Sequence, residues 1–194
     1  FNKENNEMKK LYFVHESSFI DEDVKIGENT KVWHFCHISK GAKIGKNCII
    51  GQNVFIGNNV NIGDNVKIQN NVSVYENVEI KKNVFCGPSV VFTNVKTPRS
   101  FISRKKEYLK TVVCEGVSLG ANATILCGIK IGEFCMVGAG ALITKECIPH
   151  SLMIGVPAYQ KGWVSYSGEI LDESLICPRD KIKYFIKNNR LKEK

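Results

Sequence analysis

Residues 44–68 read IGKNCIIGQNVFIGNNVNIGDNVKI, with isoleucine at Ile44, Ile50, Ile56, Ile62 and Ile68. Gly45, Gly51, Gly57 and Gly63 follow four of these, and Cys48, Val54, Val60 and Val66 come four places after the isoleucine. An amphipathic α-helix spaces its apolar residues by about 3.6 and a half-buried strand by about 2, so a strict period of six fits neither. It fits a solenoid. Hexapeptide repeats build all-β, parallel β-helices in which each short strand buries its first side chain in a narrow prism, and Gly or Asn makes the turn to the next face. One unit forms one face, so three units form a triangular coil.

The same register runs back through Ile38, Val32, Ile26, Ile20 and Val14, and forward through Val74, Ile80, Cys86 and Phe92. It resumes at Val113, Leu119, Ile125, Ile131, Val137 and Ile143, so 15 residues are inserted between Phe92 and Val113. The insertion lies within VKTPRSFISRKKEYLKT, which is polar, basic and turn-prone. It is expected to leave the solenoid as a loop over residues 95–112. Long loops on rigid scaffolds tend to carry function. The β-helix is expected over 11–148, with a C-terminal cap and tail over 149–194, because an open coil end exposes unpaired strand edges. The alternation Ile182, Tyr184, Ile186 suggests a short strand or a covering helix there. Residues 1–10 are polar and charged, and are expected to lie outside the fold, partly as a remnant ahead of Met8.

At 194 residues and 43% hydrophobic, the chain can bury one sizeable core and reads as one domain. No apolar stretch approaches the ~20 residues of a membrane span, and no signal peptide is visible, so a cytoplasmic protein is expected. Cys36, Cys48, Cys135 and Cys147 occupy the small slot of the repeat and Cys86 a first position, which makes them reduced core residues. Cys114, Cys127 and Cys177 form no Cys-x-x-Cys pair. The formal charge of +8 is concentrated in Lys96–Lys110 and in the tail from Arg179. Neither stretch has the interleaved aromatics of a nucleic-acid reader, so phosphates on a small ligand are the expected partner.

Four histidines are available as bases or ligands. His34 and His37 fall at the third and sixth slots of one hexapeptide, His15 lies in an early coil, and His150 is placed beyond the last one. No three converge, so no metal site is expected. His34 reads as a contact to substrate or to a neighbouring subunit, or as an exposed histidine.

Hexapeptides of this form, an extruded loop and a closing GVPA segment resemble the left-handed β-helix acyltransferases. The likeness sharpens at VWHFCHI, GQNVFIGNNV, IQNNVSVYENV, VFCGPSVVFTNVKTPR, RKKEY, LGANATILCG, VGAGALITK and GVPAYQKGWVSYSGE. Together these resemble the bacterial N-acetyltransferases that act on UDP-2-acetamido-3-amino-2,3-dideoxyglucuronate in surface-polysaccharide synthesis. The resemblance spans residue 14 to about 172. It implies a homotrimer with active sites between subunits, acetyl-CoA as co-substrate along the coils, and a nucleotide-linked amino sugar beside the extruded loop.

By that resemblance Asn94 is the catalytic asparagine that hydrogen-bonds the sugar amine near the thioester, with no metal and no dedicated side-chain base. A sugar amine with pKa of roughly 8, by analogy with an α-amino group, is about a tenth neutral at pH 7. Gly120, Ala121, Gly138 and Ala139 resemble a small-residue track for the pantetheine, and Lys145 and Pro157 resemble positions near the CoA phosphates and adenine. Gln52, Asn53, Asn70, Asn71 and Tyr75 occupy exposed slots and either bind the nucleotide sugar or, for the amides, form a ladder that satisfies the turns. Arg99, Arg104, Lys105 and Lys106 suit a diphosphate or a sugar carboxylate. Related transferases act on dTDP-linked 3-amino-3,6-dideoxyhexoses or UDP-4-amino sugars with much the same scaffold, so those acceptors stay open. A structural or binding β-solenoid is the non-enzyme alternative.

Overall fold

A computed structural model describes residues 11–194; the expectation for residues 1–10 falls outside them. The chain winds as a triangular parallel β-solenoid whose three faces are a ten-stranded, a seven-stranded and a six-stranded sheet. Two-residue strands such as Ile49–Ile50, Phe55–Ile56 and Asn61–Ile62 take one face each in turn. The first sheet pairs Lys31 with Ile49 and Ile49 with Lys67, so one coil is 18 residues. The register closes over the insertion without a slip, since Phe85 pairs with Ser118 and Val91 with Thr124.

First-position side chains stack down the axis: Ile38, Ile50, Ile56, Ile68, Ile80, Phe92, Leu119, Ile125, Ile131 and Ile143 are all fully buried. Truncating one such isoleucine to alanine costs about 2–5 kcal/mol. The corners need a left-handed residue, which Asn adopts more readily than other side chains. Asn47, Asn53, Asn59, Asn65, Asn71, Asn77 and Asn83 supply it with φ between 55 and 67°. The small slot is also polar for a reason. Thr30 Oγ1 donates to Gly45 O at 2.7 Å and accepts from Cys48 N at 2.9 Å, and Cys36 Sγ donates to Gly51 O at 2.9 Å. These side chains bind corner carbonyls of the next coil, which would otherwise be buried without partners. All eight cysteines are free and buried, including Cys114, Cys127 and Cys177. Burial pushes the Cys86 thiol up to about 12.

Two boundaries differ from the sequence reading. The loop ends at Lys110, because Thr111–Val113 is already a strand of the third sheet. The solenoid runs past 148: Ser151–Gly155 continues the first sheet parallel to Met136–Val137, and only then does the chain turn back through Ala158–Val164 and Ile170–Leu171. His150 therefore lies within the last coil, where its N–H donates to Glu133 O at 2.9 Å. The tail is a hairpin, Tyr184–Lys187 with Arg190–Glu193, because Asn188 and Asn189 both take positive φ and form the two-residue turn that antiparallel strands favour. It packs a second small core of Leu171, Cys177, Tyr184 and Leu191.

Candidate active site

Each corner position repeats every 18 residues, so the edges of the prism are columns of side chains. The edge from the second sheet to the third carries Asn58, Glu76 and Asn94 in one column. Asn58 Nδ2 donates to Glu76 Oε1 at 2.7 Å across one coil. The extruded loop departs from this column at Asn94 and returns onto it. Leu109 N donates to Asn94 O at 3.0 Å, Asn77 Nδ2 donates to Tyr108 O at 3.2 Å, and Lys110 Nζ lies 2.9 Å from Glu79 Oε2. Lys81 first, and then Lys110, hold the Glu79 carboxyl below the usual carboxylate range. At the loop's roots, Thr93 Oγ1 accepts from Cys127 N at 2.9 Å and Thr111 Oγ1 from Gly128 N at 3.1 Å.

Between the column and the returning loop lies a cavity of about 310 Å³, walled by Phe55, Tyr75, Glu76, Asn94, Lys105 and Tyr108 with Gly57 and Asn58. Asn94, Tyr75 and Lys105, singled out in the sequence, thus come together. Glu76, Asn58, Phe55 and Tyr108 join them unannounced. The 18-residue coil was the signal for the first two, since it puts both in the Asn94 column. Arg104 does not face this cavity as a free cation: its guanidinium makes a two-point contact with Glu107 at 3.0 and 2.8 Å. Arg99 and Lys106 are exposed on the loop.

The other candidates sit on a different edge. His34, Gln52, Asn53, Asn70, Asn71, Gly120, Ala121, Gly138 and Ala139 all occupy the corner from the first sheet to the second, with Pro157 where that edge ends. Asn53 Nδ2 donates to Asn71 Oδ1 at 3.0 Å, and Asn70 Oδ1 accepts from Gln52 N at 2.9 Å, so these asparagines satisfy the turns as a ladder. Gly120 is small because coils stack against it: a Cβ there would lie 2.5 Å from Ala139 N. Ala139 itself is exposed. The His34 ring lies over His15 at 3.6 Å, beside Trp33 and Phe35, and His37 Nε2 is 3.0 Å from Asp21 Oδ1. Among the described residues, no group of three or more His, Cys, Asp or Glu side chains is arranged to hold a metal. Lys145 returns to the Asn94 edge, where with Val95, Lys96, Pro98, Leu126 and Cys127 it lines a second cavity of about 550 Å³ under the outgoing loop. An apolar slot flanked by two ammonium groups can take a phosphorylated ligand with an apolar arm.

Residues 23–58 and 110–145 match the bacterial transferase hexapeptide family (six repeats), and residues 41–76 match the hexapeptide repeat of succinyl-transferase. Two stretches of the solenoid thus carry the hexapeptide repeat of bacterial transferases. A curated relative, the dTDP-3-amino-3,6-dideoxy-alpha-D-galactopyranose 3-N-acetyltransferase of Aneurinibacillus thermoaerophilus, is 41% identical over 71 residues, which cover 35% of this chain and 37% of the relative. This hexapeptide-repeat protein therefore aligns with little more than a third of that relative's length. Among solved structures it is similar to LpxA, a UDP-N-acetylglucosamine acyltransferase from Bacteroides fragilis, with a TM-score of 0.65 and 17% identity over 78% of this chain and 61% of that one. It is also similar to a mutant GDP-perosamine N-acetyltransferase of Caulobacter crescentus in complex with CoA and GDP-perosamine, with a TM-score of 0.54 and 23% identity over 78% and 57%. At these identities the likeness to the two structures is one of fold. No helix among the described residues is long and apolar enough to cross a membrane.

Proposed function

We propose that this protein moves the acetyl group of acetyl-CoA to the amine of a nucleotide-linked amino sugar, with Asn94 beside the reacting nitrogen. The observation that carries this reading is the cavity in which Asn94, Tyr75, Glu76 and Lys105 meet under a pinned basic loop on a hexapeptide β-helix. The name of the Aneurinibacillus relative, an N-acetyltransferase for a dTDP-linked 3-amino sugar, supports the same chemistry. In the reaction the amine lone pair attacks the thioester carbonyl, the C–N bond forms and the C–S bond breaks. The nitrogen's proton ends on the departing sulfur, leaving an amide and free CoA thiol. No metal and no side-chain base enters. Orientation supplies the acceleration, since well-placed partners reach effective molarities of about 10⁵ M or more.

The finer acceptor is a UDP-2-acetamido-3-amino-2,3-dideoxyglucuronate, destined for surface polysaccharide, because the Lys105 ammonium in the cavity wall suits a sugar carboxylate. The dTDP-linked 3-amino-3,6-dideoxyhexose is the second reading, favoured by the relative's substrate. Lys96 and Lys145 suit the phosphates of CoA. A homotrimer is part of the proposal: outward positions of the second face carry exposed Phe19 and Val91, the first mixes exposed Phe13 and Phe85 with Lys31 and Lys67, and the third carries Lys25, Lys43 and Lys130. An apolar second face suits burial in a three-fold assembly that leaves the lysine-bearing third face in water. The test is thiol release from acetyl-CoA with UDP- and dTDP-linked 3-amino and 4-amino sugars. Release with a 3-amino sugar is expected; none with any member, from folded protein, leaves the binding or structural solenoid.

A further inference from the structure

We infer that Glu76 is a second amine-recognition residue, which with Asn94 forms a two-acceptor clamp that selects a primary amine over a hydroxyl. This rests on the acetyltransfer reading above and names the group by which that site chooses its acceptor.

Glu76 stands one coil before Asn94 in the same column, and both line the same cavity. Asn58, one coil earlier still, holds Glu76 Oε1 at 2.7 Å, which fixes the carboxylate. A neutral Asn58 amide restrains it without neutralising it. Successive coils of a parallel sheet lie about 4.8 Å apart. A nitrogen whose two N–H bonds diverge at a tetrahedral angle, each making a hydrogen bond of about 2.9 Å, spans two acceptors about 4.7 Å apart. The coil spacing therefore suits one amine bridging the Asn94 Oδ1 and Glu76 Oε2 acceptors, with the nitrogen lone pair left for the thioester. A hydroxyl has one proton and satisfies only one of the two. The other acceptor is then left unpaired, the circumstance in which polar sites discriminate most strongly.

The carboxylate has a second consequence. A negative charge beside an amine favours its ammonium form, so Glu76 raises the pH at which the bound amine becomes a nucleophile. Glu76 positions and selects; it takes no proton in the transfer step.

The experiment compares wild type with Glu76→Gln on paired nucleotide sugars that differ only in bearing an amine or a hydroxyl at the acceptor carbon. The readouts are steady-state thiol release across pH and calorimetric binding of each sugar. The variant is expected to lose about tenfold or more in kcat/KM for the amine, to lose most of the preference for amine over hydroxyl, and to shift the rising limb of kcat to lower pH. Acetyl-CoA binding should not change. A Gln variant with wild-type kcat/KM, preference and pH limb overturns the clamp. If that variant does not fold, Asn58→Ala frees the carboxylate and should raise the KM for the amine several-fold; a wild-type KM then overturns it. If wild type releases no thiol with any amino sugar, the acetyltransfer reading fails. Calorimetry still decides the clamp: a preference for the amine sugar lost in Glu76→Gln upholds it, and equal affinities overturn it.

Discussion

Asn94 stands in a corner column whose preceding coil carries Glu76, and its backbone carbonyl receives the N–H of Leu109 at 3.0 Å, so one residue marks both the cavity and the point where the loop returns. The roof of the cavity is tied by Asn77, whose Nδ2 donates to Tyr108 O at 3.2 Å. Asn77 also has a φ of 67°, which glycine adopts freely. Asn77→Gly therefore keeps the turn and removes the tie. It should raise the KM for the amino sugar several-fold, leave acetyl-CoA affinity unchanged, and cost about 1 kcal/mol or less of stability. Steady-state kinetics with a thermal melt checks this, and an unchanged KM would release the loop from any part in acceptor binding.

Assembly is tested on the second face. Wild type should sediment at three times 21.8 kDa. Phe19, 74% exposed in the single chain, becomes a buried contact if that face is an interface. Phe19→Glu should then yield smaller species with little thiol release. A wild-type monomer that is active at micromolar concentration would contradict a site shared between subunits.

His150 makes the last coil acid-sensitive. Its ring is half-buried against Phe134, and Nδ1–H donates to Val164 O at 3.0 Å. Burial pushes its pKa below the ordinary histidine value. A group with a depressed folded pKa takes up its proton more readily when unfolded, so its share of stability is present above the unfolded value of about 6.5 and is lost as pH falls below it. The melting temperature should drop between about pH 6.5 and 5, and less so in His150→Asn, which keeps the positive φ of 62°. An equal drop in both proteins would assign the acid sensitivity to other groups.

The eight cysteines are all buried, and burial raises the thiols of Cys36, Cys48 and Cys86. Thiolates carry the reactivity, so the native protein should react with an aromatic disulfide reagent at least about 10²-fold more slowly than the denatured chain, which should release eight equivalents. A fast native phase would locate an exposed thiol.

The solenoid was legible because Ile44 to Ile68 repeat every six residues without a break, a period that neither an α-helix nor a lone strand shows. The end of it was not. Ile131 pairs with Cys147 and Met136 with Leu152, so the last coil is two residues short and a count in sixes sets His150 outside it. Asn94 and the loop could be read, but Glu76 could not without counting by whole coils, since a glutamate among turn asparagines looks like any solvated corner. That Asn53 and Asn71 meet each other rests on a 3.0 Å contact that composition does not carry. Arg104 likewise read as a free cation until Glu107, three residues on, is seen to hold it.

The central claim, that transfer occurs at the Asn94 column, is tested most directly by kcat for thiol release in Asn94→Ala, with bound acetyl-CoA and assembly verified. Losing one positioned hydrogen bond in a transition state costs about 10² or more, and that loss is expected here while His34→Asn keeps a large share of the wild-type rate. An Asn94→Ala protein near wild type, beside an inactive His34→Asn protein that still assembles and binds acetyl-CoA, would contradict the claim and move the chemistry to the His34 edge.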